Sequence, residues 1–250
     1  MTNIYHPQFT YKKAYDSHDI HGVQEVRPWD LTEEIIKRMP KHGILVDVGC
    51  GPAKKIILLD SYIDKIIGLD INEEVLKNAN NNIKSAKTKH ITLMQGNYLA
   101  LPFPDGTIDM VTFMLAPDDA NEAYRILKPG GYAIIERTGE RDKENIKKYF
   151  GRDSKGNLRG YRSGLPSGSI SKICKKVYKK ACFTEIQCIN GFWKTWYNTN
   201  GLKTLLEETP LIKDYNNVHD KNIFNTIVKK LSTNNGIETT QHRILIIARK

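Results

Sequence analysis

Residues 44–56 read Ile44-Leu45-Val46-Asp47-Val48-Gly49-Cys50-Gly51-Pro52-Ala53-Lys54-Lys55-Ile56. A short β-branched apolar run ends in Asp-x-Gly-x-Gly and passes into an apolar pattern of helical period. That order predicts a strand, a tight turn and a helix. Glycines let the backbone turn sharply and come close to a ligand. Pro52 suits the first position of a helix. A nucleoside-type ligand would then lie across the strand tip, at the helix N-terminus. The dinucleotide pattern G-x-G-x-x-G would need a third glycine at position 54, where this chain has Lys54. An acid, Asp47, stands before the glycines instead. An anion-cradling turn would avoid a carboxylate there; a ligand with an ammonium or sulfonium group would favour one.

The next apolar run, Lys65-Ile66-Ile67-Gly68-Leu69-Asp70-Ile71-Asn72, ends in an acid about twenty residues beyond the glycines. A carboxylate at that strand tip can accept hydrogen bonds from both ribose hydroxyls. Further on come Gln95-Gly96-Asn97-Tyr98, then Leu101-Pro102-Phe103-Pro104-Asp105-Gly106, then Ala123-Tyr124-Arg125-Ile126-Leu127-Lys128-Pro129-Gly130-Gly131. Over roughly residues 40–137 this ordered series resembles the class I S-adenosylmethionine-dependent methyltransferases, in particular the ubiquinone/menaquinone-type and small-molecule branch. Two positions depart from the pattern. Ala53 stands where a third glycine is frequent, and Asn97 where Asp is more usual.

The resemblance implies an α/β fold: a Rossmann-like, seven-stranded, mostly parallel sheet with an antiparallel last strand and helices on both faces. It implies S-adenosyl-L-methionine as cofactor and S-adenosyl-L-homocysteine as product. The residues carried over to the cofactor are Asp47, Gly49, Cys50, Gly51, Asp70, Ile71, Gly96, Asn97, Tyr98 and Met114, with Arg27 a candidate for the methionine carboxylate. Asn97 would meet the adenine amino group, since its side-chain oxygen accepts from an exocyclic amine as Asp does. The whole chain, 1–250, is expected as a single methyltransferase domain. It would comprise an N-terminal helical lid (1–40), a cofactor-binding core (41–137) and a sheet-completing part (138–250) with substrate-covering insertions at about 140–181 and 192–240.

Composition limits the partners. Hydrophobic residues make up 40% of the chain, enough for a packed core, and no apolar stretch is long enough to span a bilayer. The first residues lack the basic and apolar regions of a signal peptide, so a cytoplasmic protein with no membrane partner is expected. Cys50, Cys174, Cys182 and Cys188 fit no zinc ribbon or Cys-x-x-Cys motif, and no metal is expected. The net charge of +10 is uneven: residues 1–140 carry −3 and residues 141–250 carry +13. The second part either faces something anionic or presents a lysine-rich solvated surface.

Candidate acceptor residues lie at both ends of the chain. Tyr11 and Tyr15 stand at helical i,i+4 spacing in an aromatic leader, where they either line the acceptor pocket or pin the leader to the core. His18 and His21 flank Asp19 and are candidate general bases; a structural, hydrogen-bonded histidine is the competing reading. Asp30 to Met39 reads as a capped helix, 53–62 as the first crossover helix, and strands are expected at 44–48, 65–70, about 90–94, about 107–113 and 132–136, with Lys128–Gly131 the turn into the last of these and a helix following at about 140–149. Between Gly151 and Gly168 a Gly- and Arg-rich loop carries Arg159 and Arg162, which could read a carboxylate or phosphate. Ser171 to Lys180 forms an amphipathic basic helix whose lysines face solvent. A sixth strand at about 183–190 runs on into Phe192-Trp193-Lys194-Thr195-Trp196-Tyr197, with Trp193 and Trp196 candidates for the acceptor pocket or for core. The last strand is expected at 243–248.

Methyl transfer to a carboxylate needs no base, whereas an alcohol or phenol would gain from one. The residues therefore point to methylation of an oxygen, hydroxyl or carboxylate, on a small molecule or peptide that is anionic in the carboxylate version. RNA methylation through the basic second part is the less favoured enzyme reading. The segment after the fourth strand, Phe113-Met114-Leu115-Ala116-Pro117, lacks the Asn/Asp-Pro-Pro-aromatic motif of base-amine methylation and has no cysteine for base C5 chemistry. A non-catalytic, cofactor-binding partner subunit is the third reading.

Overall fold

The computed structural model of the protein describes residues 21–250, the first three of them by backbone alone. In chain order the strands are β1 (His21–Gln24), β2 (Ile44–Val48), β3 (Lys65–Asp70), β4 (Ile91–Gln95), β5 (Ile108–Met114), β6 (Leu127–Thr138), β7 (Glu185–Tyr197), β8 (Ser232–Thr233) and β9 (Gly236–Arg249). The helices are α1 (Leu31–Ile36), α2 (Lys54–Ile57), α3 (Glu73–Ala86), α4 (Ala120–Ile126), α5 (Glu144–Lys147), α6 (Ser169–Lys180), α7 (Thr199–Glu208) and α8 (Lys221–Leu231). These elements fall into two compact units. A core unit holds 29–138, 170–190 and 244–250; a second unit holds the described residues up to 28, with 139–169 and 191–243.

In the core unit the strand order is β4-β3-β2-β5-β6-β9-β7. The pairs β2–β3, β2–β5, β3–β4 and β5–β6 are parallel. The last strand runs against its neighbours: Gly130 and Gly131 both bond Lys250 at the opposite end of β9, and the Thr184 N–H donates to Arg249. This is the expected mostly parallel sheet with an antiparallel last strand. The seven expected strands are β2 to β7 and β9; β1 and β8 are short additions.

The central strands are apolar on both faces because helices cover both faces of a parallel sheet. Leu45, Ile66, Met110, Ile134 and Leu245 pack with Ile35, Ile56 and Leu59 in one cluster, each fully buried side chain contributing about 1.5–3 kcal/mol. Asp30 caps α1, accepting from the Thr32 and Glu33 N–H groups at 2.7 and 3.3 Å, as its capping-box spacing predicts. Asn72 caps α3 in the same way.

Three local expectations need correction. The first crossover helix is regular only over Lys54–Ile57; Ala53 sits at φ +62°, so Pro52 lies outside the helix, and 58–62 continue in tighter turns. Lys128–Gly131 is not a turn before a strand but a bulge within β6: Ile108 pairs with Leu127 and Met110 with Tyr132, so the intervening residues have no register partner on β5. The helix expected at about 140–149 is one turn of α-helix followed by a 3₁₀ turn at Lys148–Phe150.

In the second unit β1 pairs antiparallel with the end of β7, and β8 forms a hairpin with the start of β9. Ile146, Phe150, Tyr197, Leu202, Leu206, Ile212 and Ile227 make its core. The aromatic run 192–197 does continue the sixth strand of the core sheet. The last strand begins seven residues earlier than expected, because Gly236–Gln241 alternates half-buried with buried residues along the strand.

Candidate functional site

The parallel strands of the core unit bring the sequence-predicted cofactor residues to their carboxyl ends, where open α/β sheets bind ligands. Gly49 and Cys50 both donate to the Leu69 carbonyl, at 2.7 and 3.0 Å, which holds the turn against the tip of β3. Gly49 has φ +71°, and a Cβ there would fall 2.4 Å from the Ala116 methyl. Gly51 has φ +55°, and its missing Cβ points into open space. The next position in the left-handed region is Ala53, which explains why a glycine is at home there.

Asp70 ties the two strand tips together. Its carboxylate accepts from the Gly51 N–H at 3.1 Å and from the Asn72 N–H at 3.0 Å. A carboxylate has about four acceptor sites, so two backbone bonds leave room for ligand hydroxyls. Around it Ile71 is 58% exposed and Leu99 56% exposed, with Leu115 also exposed at the end of β5. Ile71 and Leu99 lie beyond the neighbouring strands β3 and β4, and Leu115 beyond β5, with β2 between them; such exposed aliphatics could line a slot for a flat apolar ring. Asn97 turns its oxygen back to the Leu99 N–H at 3.0 Å, closing a local turn and keeping one further acceptor site. Tyr98 and Met114 are half-buried beside this slot. Gly96 has a packing reason as well: a Cβ would meet the Leu69 side chain at 2.7 Å.

Asp47 is deeper than the sequence suggests. It is 1% exposed and accepts a 2.6 Å bond from the Thr112 hydroxyl. Burial raises its carboxyl to about 7; Thr112 and Lys55 oppose the shift and Asp70 adds to it. Burial, with Asp47 and Asp70, pushes the Cys50 thiol far up, so that side chain is an inert packing group. Because α2 is a single turn, its dipole offers little to an anion. The turn thus suits a cationic ligand better than a phosphate.

The remaining candidates belong to the second unit or lie outside the described residues. Tyr11, Tyr15 and His18 are outside them, and His21 is described only as backbone, paired with Tyr197 in β1. Trp193 is buried, with the Arg27 guanidinium 4.9 Å and the Arg243 guanidinium 5.9 Å from its ring. Trp196 is half-buried opposite Val23. Arg159 forms a bidentate pair with Asp220 at 2.7 and 2.8 Å and also donates to the carbonyls of Lys213 and Asp214. Those bonds hold the Gly/Arg loop to the 212–220 segment, a structural role that spacing alone did not reveal. Arg162 lies over the Tyr161 ring at φ +60°.

Two buried polar clusters escaped the sequence. In the core unit Asp118 pairs with Arg137 and accepts a 2.7 Å bond from the Tyr178 hydroxyl. The signal was the doublet Asp118-Asp119, of which only Asp119 is needed to cap α4. In the second unit Asp142 is enclosed by Lys143 and Arg243; burial would raise its carboxyl, but these cations hold it well below the usual range. Beside it His242 accepts from the Arg141 N–H at 3.1 Å, and its ring stacks on Phe192 at 4.2 Å. Burial lowers its basicity, and Gly139 leaves the space its ring fills. No group of three metal-ligating side chains occurs among the described residues.

Residues 46–135 match the family model of a methyltransferase domain. A demethylmenaquinone methyltransferase of Anoxybacillus flavithermus is 34% identical over 120 residues, a match spanning 43% of this chain and 51% of that relative. The chain thus covers about half the length of that relative. Among solved structures, YcgJ from Bacillus subtilis superposes with a TM-score of 0.63 at 16% identity, over 88% of this chain and 97% of that one. A phosphoethanolamine N-methyltransferase of Haemonchus contortus, solved with S-adenosylhomocysteine, superposes with a TM-score of 0.53 at 19% identity, over 89% of this chain and 53% of that one. At those identities the superpositions speak for the fold.

Proposed function

We propose that this chain, a class I S-adenosylmethionine-dependent methyltransferase in its fold and in the domain at residues 46–135, methylates a small ring compound with an ionisable hydroxyl. The cofactor fits the residues present. Asp70 would take the ribose hydroxyls and the slot of Ile71, Leu99 and Leu115 the adenine, with Asn97 at its exocyclic amine. Gly49 and Gly51 keep side chains out of the path of the methionine part, and Asp47 is the buried negative group nearest the turn.

When bound, S-adenosylmethionine supplies an electrophilic methyl group on a sulfonium centre. The task left to the protein is alignment, which can contribute about 7–11 kcal/mol to such a step. Rigid strand tips suit it, because β2, β3 and β5 are held in register on both sides.

The choice of acceptor is supported by the relative named for demethylmenaquinone. In a quinol or phenol, ionisation makes the oxygen and the adjoining ring carbon nucleophilic. The acceptor would give its hydroxyl proton to solvent water before transfer and, where carbon attacks, the ring proton to water afterwards, so the protein need only hold it in line. Oxygen methylation remains within this reading, with the ring carbon as its neighbour.

The single observation that carries the proposal is the Asp70 carboxylate, fixed by two backbone N–H groups at the junction of the glycine turn and β3. Asp70→Asn keeps the shape and removes the charge. S-adenosylmethionine affinity by calorimetry should fall at least about tenfold, roughly the loss of one charge-assisted hydrogen bond; unchanged affinity would sink the site. Incubation with methyl-labelled cofactor and a short-chain naphthoquinol should give a labelled, alkali-stable product, whose NMR spectrum tells an aryl C-methyl from an O-methyl. An alkali-labile ester on a peptide fraction would replace the acceptor proposed.

A further inference from the structure

Helix α6 lies outside the matched domain, and its sequence, Ser169 to Lys180, contains five lysines and no acid. Ile170, Ser171, Cys174 and Tyr178 are its buried side. Lys172, Lys175, Lys176, Lys179 and Lys180 are all exposed, and at 3.6 residues per turn they share one broad stripe. Among the described residues none of the five has an acidic partner. Val177, 37% exposed, and the half-buried Ile173 border the stripe on one side.

We propose that the solvent face of α6 docks on an anionic lipid surface. The choice of lipid over nucleic acid rests on the composition of the stripe. The stripe has no arginine and no aromatic side chain, the groups that fork to phosphates and stack on bases. It has flexible lysines, strongly hydrated point charges that suit a polybasic surface contact with anionic headgroups. Each lysine near such a surface strengthens attachment about fivefold, so five together suffice for reversible binding. A peripheral contact of this kind needs no spanning helix, and none among the described residues could cross a membrane.

The buried side of the same helix gives the contact a reason. Tyr178 donates to Asp118, four residues beyond Met114 at the tip of β5. The helix that would meet the lipid therefore also holds the segment that follows the candidate cofactor site.

The test is co-sedimentation of the full chain with phosphatidylcholine vesicles, with and without phosphatidylglycerol. Binding is expected only to the anionic vesicles and should be reversed by salt. Lys176→Gln with Lys179→Gln should weaken it about 25-fold, with unchanged melting temperature and unchanged S-adenosylmethionine affinity. Those two readouts separate a failed docking surface from a failed cofactor site. No binding, equal binding to neutral vesicles, or an unaltered affinity in the double variant overturns the proposal. Preference for single-stranded RNA over the anionic vesicles in direct competition also overturns it and assigns the stripe to nucleic acid.

Discussion

Asp47 shows how far one residue's chemistry departs from its sequence reading. The acid before the glycines was expected to meet a cationic ligand as a carboxylate, yet burial lifts it to about 7, against 3.8 for a free side chain. Between those values the folded state holds a proton that the unfolded chain gives up, so this group's contribution to stability falls as pH rises from about 4 to about 7. Asp47→Asn keeps an acceptor for Thr112 and removes that dependence. Its melting temperature should exceed that of the natural protein at pH 8, by a margin that narrows toward pH 5, as differential scanning calorimetry would show. A cationic ligand favours the ionised form, so cofactor affinity should rise between pH 6 and 8 in the natural protein and stay flat in the variant. Ala53 offers a second residue-level case. Its left-handed φ costs about 1–2 kcal/mol, while its buried methyl contributes about 0.8 kcal/mol. The strain is the larger, so Ala53→Gly should be stabilising by up to about 1 kcal/mol in urea unfolding. These effects were half legible: the acid and the missing glycine stand in the sequence, but depth and dihedral do not.

At the scale of elements, the Gly/Arg loop is the instructive one. Its composition suggests an anion reader, whereas the fold uses Arg159 to hold Asp220, whose side chain is 4% exposed. The Arg159 guanidinium keeps the Asp220 carboxyl below its usual range, so the stability it adds is present above about pH 4 and lost as pH falls further. Arg159→Gln leaves that carboxylate without its cation and should destabilise the protein by about 3 kcal/mol, measured by urea unfolding at pH 7. A change in acceptor KM with unaltered stability would return Arg159 to the acceptor. Capped helices were readable because cap and period are local: Asp30, Asn72 and Asp119 each stand at the start of the helix they cap. The one-turn α2 was not, because nothing in the local sequence marks Ala53 for the left-handed region that places it before the helix.

At the scale of the whole molecule, the strands β7 and β9 each contribute one half to the core unit and one half to the second unit. Cofactor binding to the core-unit tips makes a regional prediction. With S-adenosylmethionine at a hundred times its dissociation constant the folded state gains about 2.7 kcal/mol, and hydrogen exchange should slow first at 47–53, 69–72 and 96–99. Protection confined to other segments would move the site. The charge asymmetry also acquires a location, since the lysines of α6 gather on one exposed face while those buried near Asp142 are enclosed with an acid. The parallel sheet and its order of strand and helix were legible along the chain, as were the candidate cofactor residues, because apolar period and glycine turns act through near neighbours. Which charges are buried, and that Arg159 is a strut, follow from tertiary contacts alone, because burial and pairing depend on residues sixty or a hundred positions apart.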